Sequence, residues 1–499
     1  MNTSTTPENR SLLFAALACA GASLLAYRTV DGVDFLGFDA YPSIVASRIA
    51  SWSDFAGTFQ ERLMHYWFPQ GDFYRPVTNL SIALDYGLWG LDPRGYHATN
   101  AVLLGFTGWC LFWLVRRVAP GARFAAALAL AFYLVHPLQL EVYPVLARRA
   151  DMLCGAFVAL ALVASTRRCD RVRVASTFVL TALAVASKVT GILVVPLAFL
   201  VARGAPMSTM KAARATLPHF AAGLIVFSAR LAVLGEIGGY NHGGQHERWA
   251  VPWQIFVSLF SPPASVGGVA SMICIAAAFL ALLALALQGR RQRDVFRGRP
   301  DAFRLLLLGA CWLALSLLLL LSTGGRLGWW YSFMPLLGLS LMVGAVGARL
   351  LEMIEQSTST RRRLFAALGS TGMLVGCLVL AANSPLIRAH PRLHAGSTEQ
   401  REFLSEVSER LSQSNPSGRV TAPRLPTMVP SRSGRESAIG LLAPYSVQAW
   451  ADLLFPDKGV QVLFLVRGEG PSAQGRPPTP KKLELIIARA LQRPRGVGP

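Results

Sequence analysis

The sequence predicts an all-α polytopic membrane protein of about eleven hydrophobic segments, carrying a small α/β region at its C-terminal end. Three observations lead there. Hydrophobic residues make up 53% of the 499 and charged residues only 15%, against about a quarter charged in a soluble domain. Mean hydropathy is +0.42. Apolar runs of roughly 20 residues, the length of a helix that crosses a bilayer, recur along the chain.

The segments lie near 11–29, 98–115, 124–140, 152–166, 174–187, 189–202, 216–234, 266–287, 303–322, 329–348 and 364–382. The first has the position of a signal peptide. Its charged flank is only Glu8 and Arg10, and the run is long for a cleaved leader, so an uncleaved first span is expected. The fifth and sixth are short. They read as two crossings, or as one helix broken around Lys188 and Gly191, and the choice flips everything downstream. Basic residues decide the orientation. With the N-terminus in the cytoplasm, cytoplasmic pieces hold 21 Lys and Arg and the outer loops 10, although the outer loops are longer in total. The Arg-rich loop 288–304 is then cytoplasmic, and an odd number of crossings leaves the C-terminal region outside. The expected division is a membrane domain, 1–383, with a large outer first loop, 30–97, and an extracytoplasmic region, 384–499. In that region 398–412 has a helical pattern, "GVQVLFLVRG" reads as a strand, and "RALQRPRGVGP" reads as disordered.

The net charge of +21 is explained by the cytoplasmic loops, so no nucleic-acid partner is implied. Seven cysteines, Cys19, Cys110, Cys154, Cys169, Cys274, Cys311 and Cys377, all lie in or beside apolar segments without zinc-type spacing. Neither a disulfide framework nor a metal site is expected. The first loop is different. In "VDGVDFLGFDAYPSIVASRIASWSDF" acids and aromatics mix with apolar residues at near-helical spacing. That predicts amphipathic helices on the membrane surface and suits a polar substrate with a lipid tail, although any one acid is more simply read as solvated.

Two blocks carry more. One is "YRPVTNLSIALDYGLWGLDPRGYHATNAVLL" (74–104) and the other "HPLQLEVYPVLARRADMLCGAFVALAL" (136–162). They resemble the C-type glycosyltransferase superfamily, and within it the membrane core of the transmembrane tetratricopeptide-repeat O-mannosyltransferases. The matching positions are Tyr74, Arg75, Pro76, Gly95, Tyr96, His97 and Asn100, then His136, Pro137, Glu141, Arg149, Ala150 and Asp151. "FDAYPSIV" resembles the first-loop motif of paired acids, with Asp39 as the first and Ala40 where the second stands. In "ASKVTGILVVPL" Lys188 matches, and Val189 stands where the family has an acid. Arg230, Arg326, Tyr331 and Pro335 match later segments. The likeness covers about 30–345, and the tail shows no tetratricopeptide pattern.

The resemblance implies inverting transfer of a sugar, hexosyl or mannosyl, from a polyprenyl-phosphate donor to a hydroxyl on a protein, glycan or glycolipid, beside membrane lipids in a bacterial cell membrane. It implies Asp39 as the catalytic base. Arg75, Arg149, Lys188 and Arg326 would hold donor phosphate and sugar. His97, His136, Glu141, Asp151 and Tyr331 would be polar members of the site, and no cofactor or metal is expected. Plainer roles stand beside these. Asp39 is also a plausible helix N-cap, Arg75 a headgroup anchor and His136 an interfacial residue. Glu141 and Asp151 can pair with Arg148 and Arg149 structurally. At the level of the whole chain the alternatives are a flippase for lipid-linked glycans and a non-catalytic scaffold. Against the flippase, no internal repeats are visible and the chemistry-prone residues sit in outer loops, not within spans. The tail, lacking the motifs, is expected to be dispensable for the chemical step.

Overall fold

The structure, a computed structural model, describes residues 7–64, 71–122, 124–167, 171–204, 208–240, 246–260, 276, 300–386, 391–415, 419–422, 425–426, 439–459 and 461–464. Most of the hydrophobic segment near 266–287, the loop up to 299, Cys169, Cys274 and the C-terminal "RALQRPRGVGP" lie outside them.

Among the described residues six helices are long and apolar enough to cross a membrane. They are α1 (Pro7–Val30), α5 (Pro93–Val118), α10 (Thr209–Leu234), α12 (Pro300–Leu319), α13 (Phe333–Gln356) and α14 (Thr360–Ala382). Shorter apolar helices lie between them: α6 (Ala125–Val135), α7 (Arg149–Ser165), α8 (Arg171–Ser187), α9 (Val194–Gly204) and α11 (Ala250–Ser258). Leu13, Phe14 and Leu17 on α1, Leu217, Phe220 and Leu224 on α10, and Leu364, Leu368 and Leu378 on α14 face outward. Such rows of exposed leucine suit lipid and not water. The chain is an integral membrane protein.

Local chemistry sets the helix ends. Asp92 caps α5 by accepting from the Arg94 N–H at 3.0 Å, Pro93 opens the helix, and Arg116 and Arg117 close it. Gly235, left-handed at φ 75°, ends α10. Small residues let helices approach closely. A Cβ on Gly309 of α12 would lie 2.7 Å from the Gly338 carbonyl of α13, and one on Gly105 of α5 would lie 2.6 Å from the Cys19 carbonyl of α1. Helix α13 is buried along most of its length and forms the axis of the bundle.

At Lys188 the helix stops. The residue is extended (φ −160°, ψ 136°), a 3-10 turn, Val189–Leu193, follows, and Gly191 packs on the Ala184 carbonyl. Thus α8 and α9 are separate helices and not one continuous rod. The same end of the bundle gathers the segments joining successive helix pairs. Arg148 lies over Trp330, Lys188 lies beside Tyr331, and Tyr331 bonds Tyr240. A two-residue antiparallel pairing joins β1 (Gly71–Asp72) to β2 (Gly239–Tyr240).

The first loop departs from expectation. Its helix α2 (Ala40–Ala46) does not lie on the surface; Ala40, Tyr41, Pro42, Ser43 and Ile44 are buried. What covers it is the C-terminal region. There α15 (Pro391–Ser412), α16 (Pro444–Leu454) and a parallel pair, β3 (Arg419–Ala422) with β4 (Gln461–Phe464), share one apolar core with Phe35, Tyr41, Ile44, Ile82 and Tyr96. Only β4 of the expected strand "GVQVLFLVRG" is described, together with Gly459. The next helix, α3 (Trp52–Gly57), does fit an interfacial position. A capping box between Ser51 and Asp54 starts it, and Trp52, Phe55 and Phe59 are exposed. The remaining first-loop helix, α4 (Pro76–Trp89), opens on Pro76 and leads to α5.

Candidate active site

Asp39 occupies the N-cap position of α2, but its side chain makes no capping bond; φ is −96° and ψ 1°. Instead its Oδ1 accepts a hydrogen bond from the Tyr445 hydroxyl of α16, at 2.9 Å. Burial pushes the Asp39 carboxyl up, against the opposing pull of Arg148, the Tyr445 hydroxyl and Arg75. The result lies above the ordinary carboxylate range, which makes it a better proton acceptor than a surface aspartate. Ala40, where the resemblance has a second acid, is fully buried in the core under the tail. A carboxylate there would face apolar side chains.

Two guanidinia sit near Asp39. Arg148 lies 3.4 Å from the centre of the Trp330 ring, and Arg75 lies 4.8 Å from that of Phe73. Among the described residues neither guanidinium has an ion-pair or hydrogen-bond partner; each rests on an aromatic ring. Lys188 pairs with Asp151, Nζ to Oδ1 at 2.5 Å, with both side chains nearly buried. The Tyr331 ring lies 5.8 Å from that Nζ, and the Tyr331 hydroxyl donates to Tyr240 at 3.0 Å. Arg326 lies 4.5 Å from the centre of the Tyr240 ring. Asp39, Arg75, Lys188, Asp151, Tyr331 and Arg326 are thereby brought to one end of the bundle.

The other three basic candidates point elsewhere. Arg149 is fully buried. It donates to Asp85 at 2.5 Å, Asn100 at 2.8 Å, the Ser81 carbonyl at 3.1 Å and the Tyr96 carbonyl at 3.3 Å. Its fork is spent on the fold. The His97 Nε2 sits 3.1 Å from the Val33 carbonyl and holds the start of the first loop. The His136 Nδ1 accepts from the Leu138 N–H at 3.3 Å, and its Nε2 reaches the Leu259 carbonyl at 2.8 Å. His136 therefore caps the 3-10 turn Pro137–Glu141 from inside the protein, and not at an interface. The structural pairing open to Glu141 and Asp151 with Arg148 and Arg149 is also redistributed. Asp151 takes Lys188, and Arg149 takes Asp85.

Glu141 is the last residue of that 3-10 turn. It is 8% exposed, and its Oε2 lacks a hydrogen-bond partner. Burial raises its carboxyl to about 7, against the opposing charge of Arg148. A folded-state value above the unfolded value of about 4.3 costs stability as pH rises through that window, by up to about 1.4 kcal/mol per unit. Glu141→Gln should therefore melt above the wild type at pH 8, with the advantage shrinking towards pH 5. Thermal melts in detergent read this directly, and equal melting at pH 8 would remove the buried charge from the account.

Residues that the motifs did not single out are Arg148, Trp330, Tyr240 and Tyr445. Arg148 gave no signal that set it apart from Arg149. It ends a 3-10 turn and Arg149 begins α7, and the two take different sides, Arg149 inward on Asp85 and Arg148 over Trp330. Tyr445, 406 residues from Asp39, had no signal either. Among the described residues no three His, Cys, Asp or Glu side chains group as a metal centre. A cleft of about 590 Å³ opens at the seam of first loop and tail, lined by Asp34, Phe35, Tyr41, Arg401, Leu404 and Trp450 among others. Asp39 does not line it.

Comparison with known proteins bears on these blocks. The chain is 35% identical over 79 residues to protein O-mannosyl-transferase Tmtc1 of Drosophila melanogaster, which is 16% of this chain and 9% of that protein. It is 29% identical over 168 residues to protein O-mannosyl-transferase tmtc2 of Xenopus laevis, 32% of this chain and 19% of that one. The chain resembles C-type glycosyltransferases. The matched stretches span less than a fifth of either relative's length. No family model matches the chain. Among solved structures, ArnT from Cupriavidus metallidurans superposes with a TM-score of 0.49 at 14% identity, covering 91% of this chain and 89% of that one. The archaeal oligosaccharyltransferase AglB from Archaeoglobus fulgidus, solved with an inhibitory peptide and a dolichol-phosphate, superposes with a TM-score of 0.49 at 11% identity, covering 82% and 58%.

Proposed function

We propose that this chain is a glycosyltransferase that moves a sugar from a polyprenyl-phosphate donor to a hydroxyl acceptor on the extracytoplasmic face of the cell membrane, with inversion. The observation that carries the reading is the company of Asp39. An aspartate with a raised pKa lies in the field of two guanidinia, Arg75 and Arg148, that are without partners among the described residues. In the proposed step the acceptor oxygen forms a bond to the anomeric carbon while the bond from that carbon to the phosphate oxygen breaks. The acceptor proton passes to Asp39, and polyprenyl phosphate leaves with the bonding electron pair. Arg75 and Arg148 meet the charge that grows on the leaving phosphate. The pair Lys188–Asp151 and the tyrosines Tyr331 and Tyr240 border the sugar. Arg149, assigned to the phosphate by resemblance, serves in this reading as a pillar beneath the site. An apolar groove of about 570 Å³ between α9, α10 and α12, lined by Val195, Phe199, Leu200, Ala213, Ala314 and Leu315 among others, suits a prenyl chain.

Topology supports the same reading. The first loop, Arg148, Lys188, Tyr240, Tyr331 and Tyr445 meet at one end of the bundle, so an even number of crossings separates each from the next. Eleven crossings with a cytoplasmic N-terminus meet that condition and put the site and residues 384–499 outside. Sugar identity and acceptor class are tested together in proteoliposomes loaded with polyprenyl-phosphate mannose or glucose. Impermeant hydroxyl acceptors (a serine- and threonine-rich peptide, an oligosaccharide) are added to vesicles whose orientation is known. Transfer only where the site side faces the acceptor is the expected outcome. Donor crossing the bilayer without being consumed would establish the flippase reading instead.

A further inference from the structure

The C-terminal region was expected to be separable from the chemistry, yet it is fastened to the first loop at every level. Arg401 reaches Asp34 at 3.1 Å and the Gly32 carbonyl at 3.0 Å. Gln400 donates to the Phe35 carbonyl at 2.8 Å, and His394 meets the Thr29 carbonyl at 3.2 Å. The Gly37 N–H donates to the Gly440 carbonyl at 2.9 Å. Gly37 is left-handed at φ 98°, a conformation that favours glycine, and a Cβ on Gly440 would fall 2.6 Å from the Phe38 ring. The Ser446 hydroxyl donates to the Phe38 carbonyl. These contacts run up to Asp39, and α16 delivers the Tyr445 hydroxyl to its carboxylate.

We propose that Tyr445 is the positioning residue of the base: its hydroxyl fixes Asp39 by one carboxylate oxygen, so that the C-terminal region completes the active site. This rests on the reading of Asp39 as base. The geometry divides the labour between the two oxygens. Oδ1 takes the Tyr445 proton at 2.9 Å, and Oδ2 has no hydrogen bond among the described residues, which leaves it to receive the acceptor proton. The carboxylate then cannot rotate back to cap α2, the local bond an N-terminal aspartate otherwise makes. The hydrogen bond also favours the ionised form, in the same sense as Arg148 on the turn before α7 and Arg75 at the start of α4. Those are the charged groups that act on Asp39. Tyr445 itself is held by the turn Ala443–Ser446 at the start of α16, where the Ala443 N–H donates to the Ser446 hydroxyl at 3.1 Å.

The test is the pH profile of transfer in the full-length protein, compared for wild type, Tyr445→Phe, Arg401→Gln and Asp39→Asn at matched amounts. A hydrogen bond to a charged group is typically worth about tenfold or more in equilibrium. In Tyr445→Phe the acid limb should therefore move up by about one pH unit. Transfer should fall about tenfold on that limb and recover to within a few fold at high pH. Arg401→Gln, which loosens the same seam at Asp34 and Gly32 without touching Asp39 or the turn that holds Tyr445, should leave the limb in place. An equal loss in Tyr445→Phe at every pH, or an unmoved limb, overturns the proposal. If Asp39→Asn is itself active, it is the base assignment that fails, and the two failures are thereby separate. Should Tyr445→Phe fold poorly, a fluorinated tyrosine at 445 keeps the native shape with a stronger donor. It should shift the limb downward, and no shift again overturns the proposal.

Discussion

Asp39→Asn should lower sugar transfer by about 10²–10⁴-fold while expression level and melting behaviour hold. The amide keeps the shape of the side chain and can still accept from Tyr445, but it cannot take a proton. The structure sharpens this expectation by removing the plainer rival. Were Asp39 a helix cap, Asn would serve nearly as well, yet the side chain makes no capping bond at all. Its neighbours supply controls with known jobs. Asp54 accepts from the Ala50 and Ser51 N–H groups at 2.9 and 2.8 Å on an exposed surface helix, and Asp34 pairs with Arg401. Asp54→Asn and Asp34→Asn should change transfer by no more than a few fold. Transfer rates at matched protein level decide the matter, and an Asp39→Asn protein within a few fold of wild type removes Asp39 from the mechanism. The pH profile adds a sign. Because the carboxyl is raised, wild-type transfer should fall with decreasing pH through a value above the usual aspartate figure of about 4.

Arg149→Met should abolish stable folding, for reasons separate from chemistry. The variant removes the partner of Asp85, which is 2% exposed, and strands a charge in the interior. Breaking a buried pair from one side costs about 3–5 kcal/mol, a large part of the total stability of a folded domain. Asn100, Ser81 and the Tyr96 carbonyl lose donors in the same change. Lys in place of Arg should be little better, since an ammonium cannot span that fork of acceptors. Adding Asp85→Leu to Arg149→Met removes the stranded charge and should restore part of the loss. Size-exclusion profiles and melting of the three variants read this out. A well-folded Arg149→Met protein that has lost only donor affinity would return Arg149 to the phosphate.

Much of the fold was legible because a bilayer demands a coarse and repeated pattern. The apolar runs placed α1, α5, α12 and α14 to within five residues at each end, but began seven residues after the start of α10 and stopped eight short of the end of α13. Lys188 stopped a helix where a polar residue interrupts apolar sequence. The motif blocks gave Asp39, Arg75, Lys188 and Tyr331, which the structure gathers at one end. What was not legible was rotation about the helix axis and contact at long separation. Arg148 and Arg149 are adjacent and chemically identical in sequence, and only the phase at which α7 begins sends one inward and the other to Asp39. The first-loop segment "FDAYPSI" has an amphipathic look that fits a membrane surface, and it meets an apolar partner of another kind, the tail. No local pattern announces that partner, because the residues of α16 that cover α2 lie about 400 positions further along the chain.

The bond between Tyr445 and Asp39 also has a place in time. Its two ends are 406 residues apart, and a ribosome adds about 5–20 residues each second. The first loop is therefore synthesised some 20–80 s before its partner exists. During that interval Tyr41 and Ile44 have no cover, and the carboxylate has no hydroxyl to hold it. On the proposed reading, a growing chain passes most of its synthesis with the base unheld, and its site is complete only once α16 is in place.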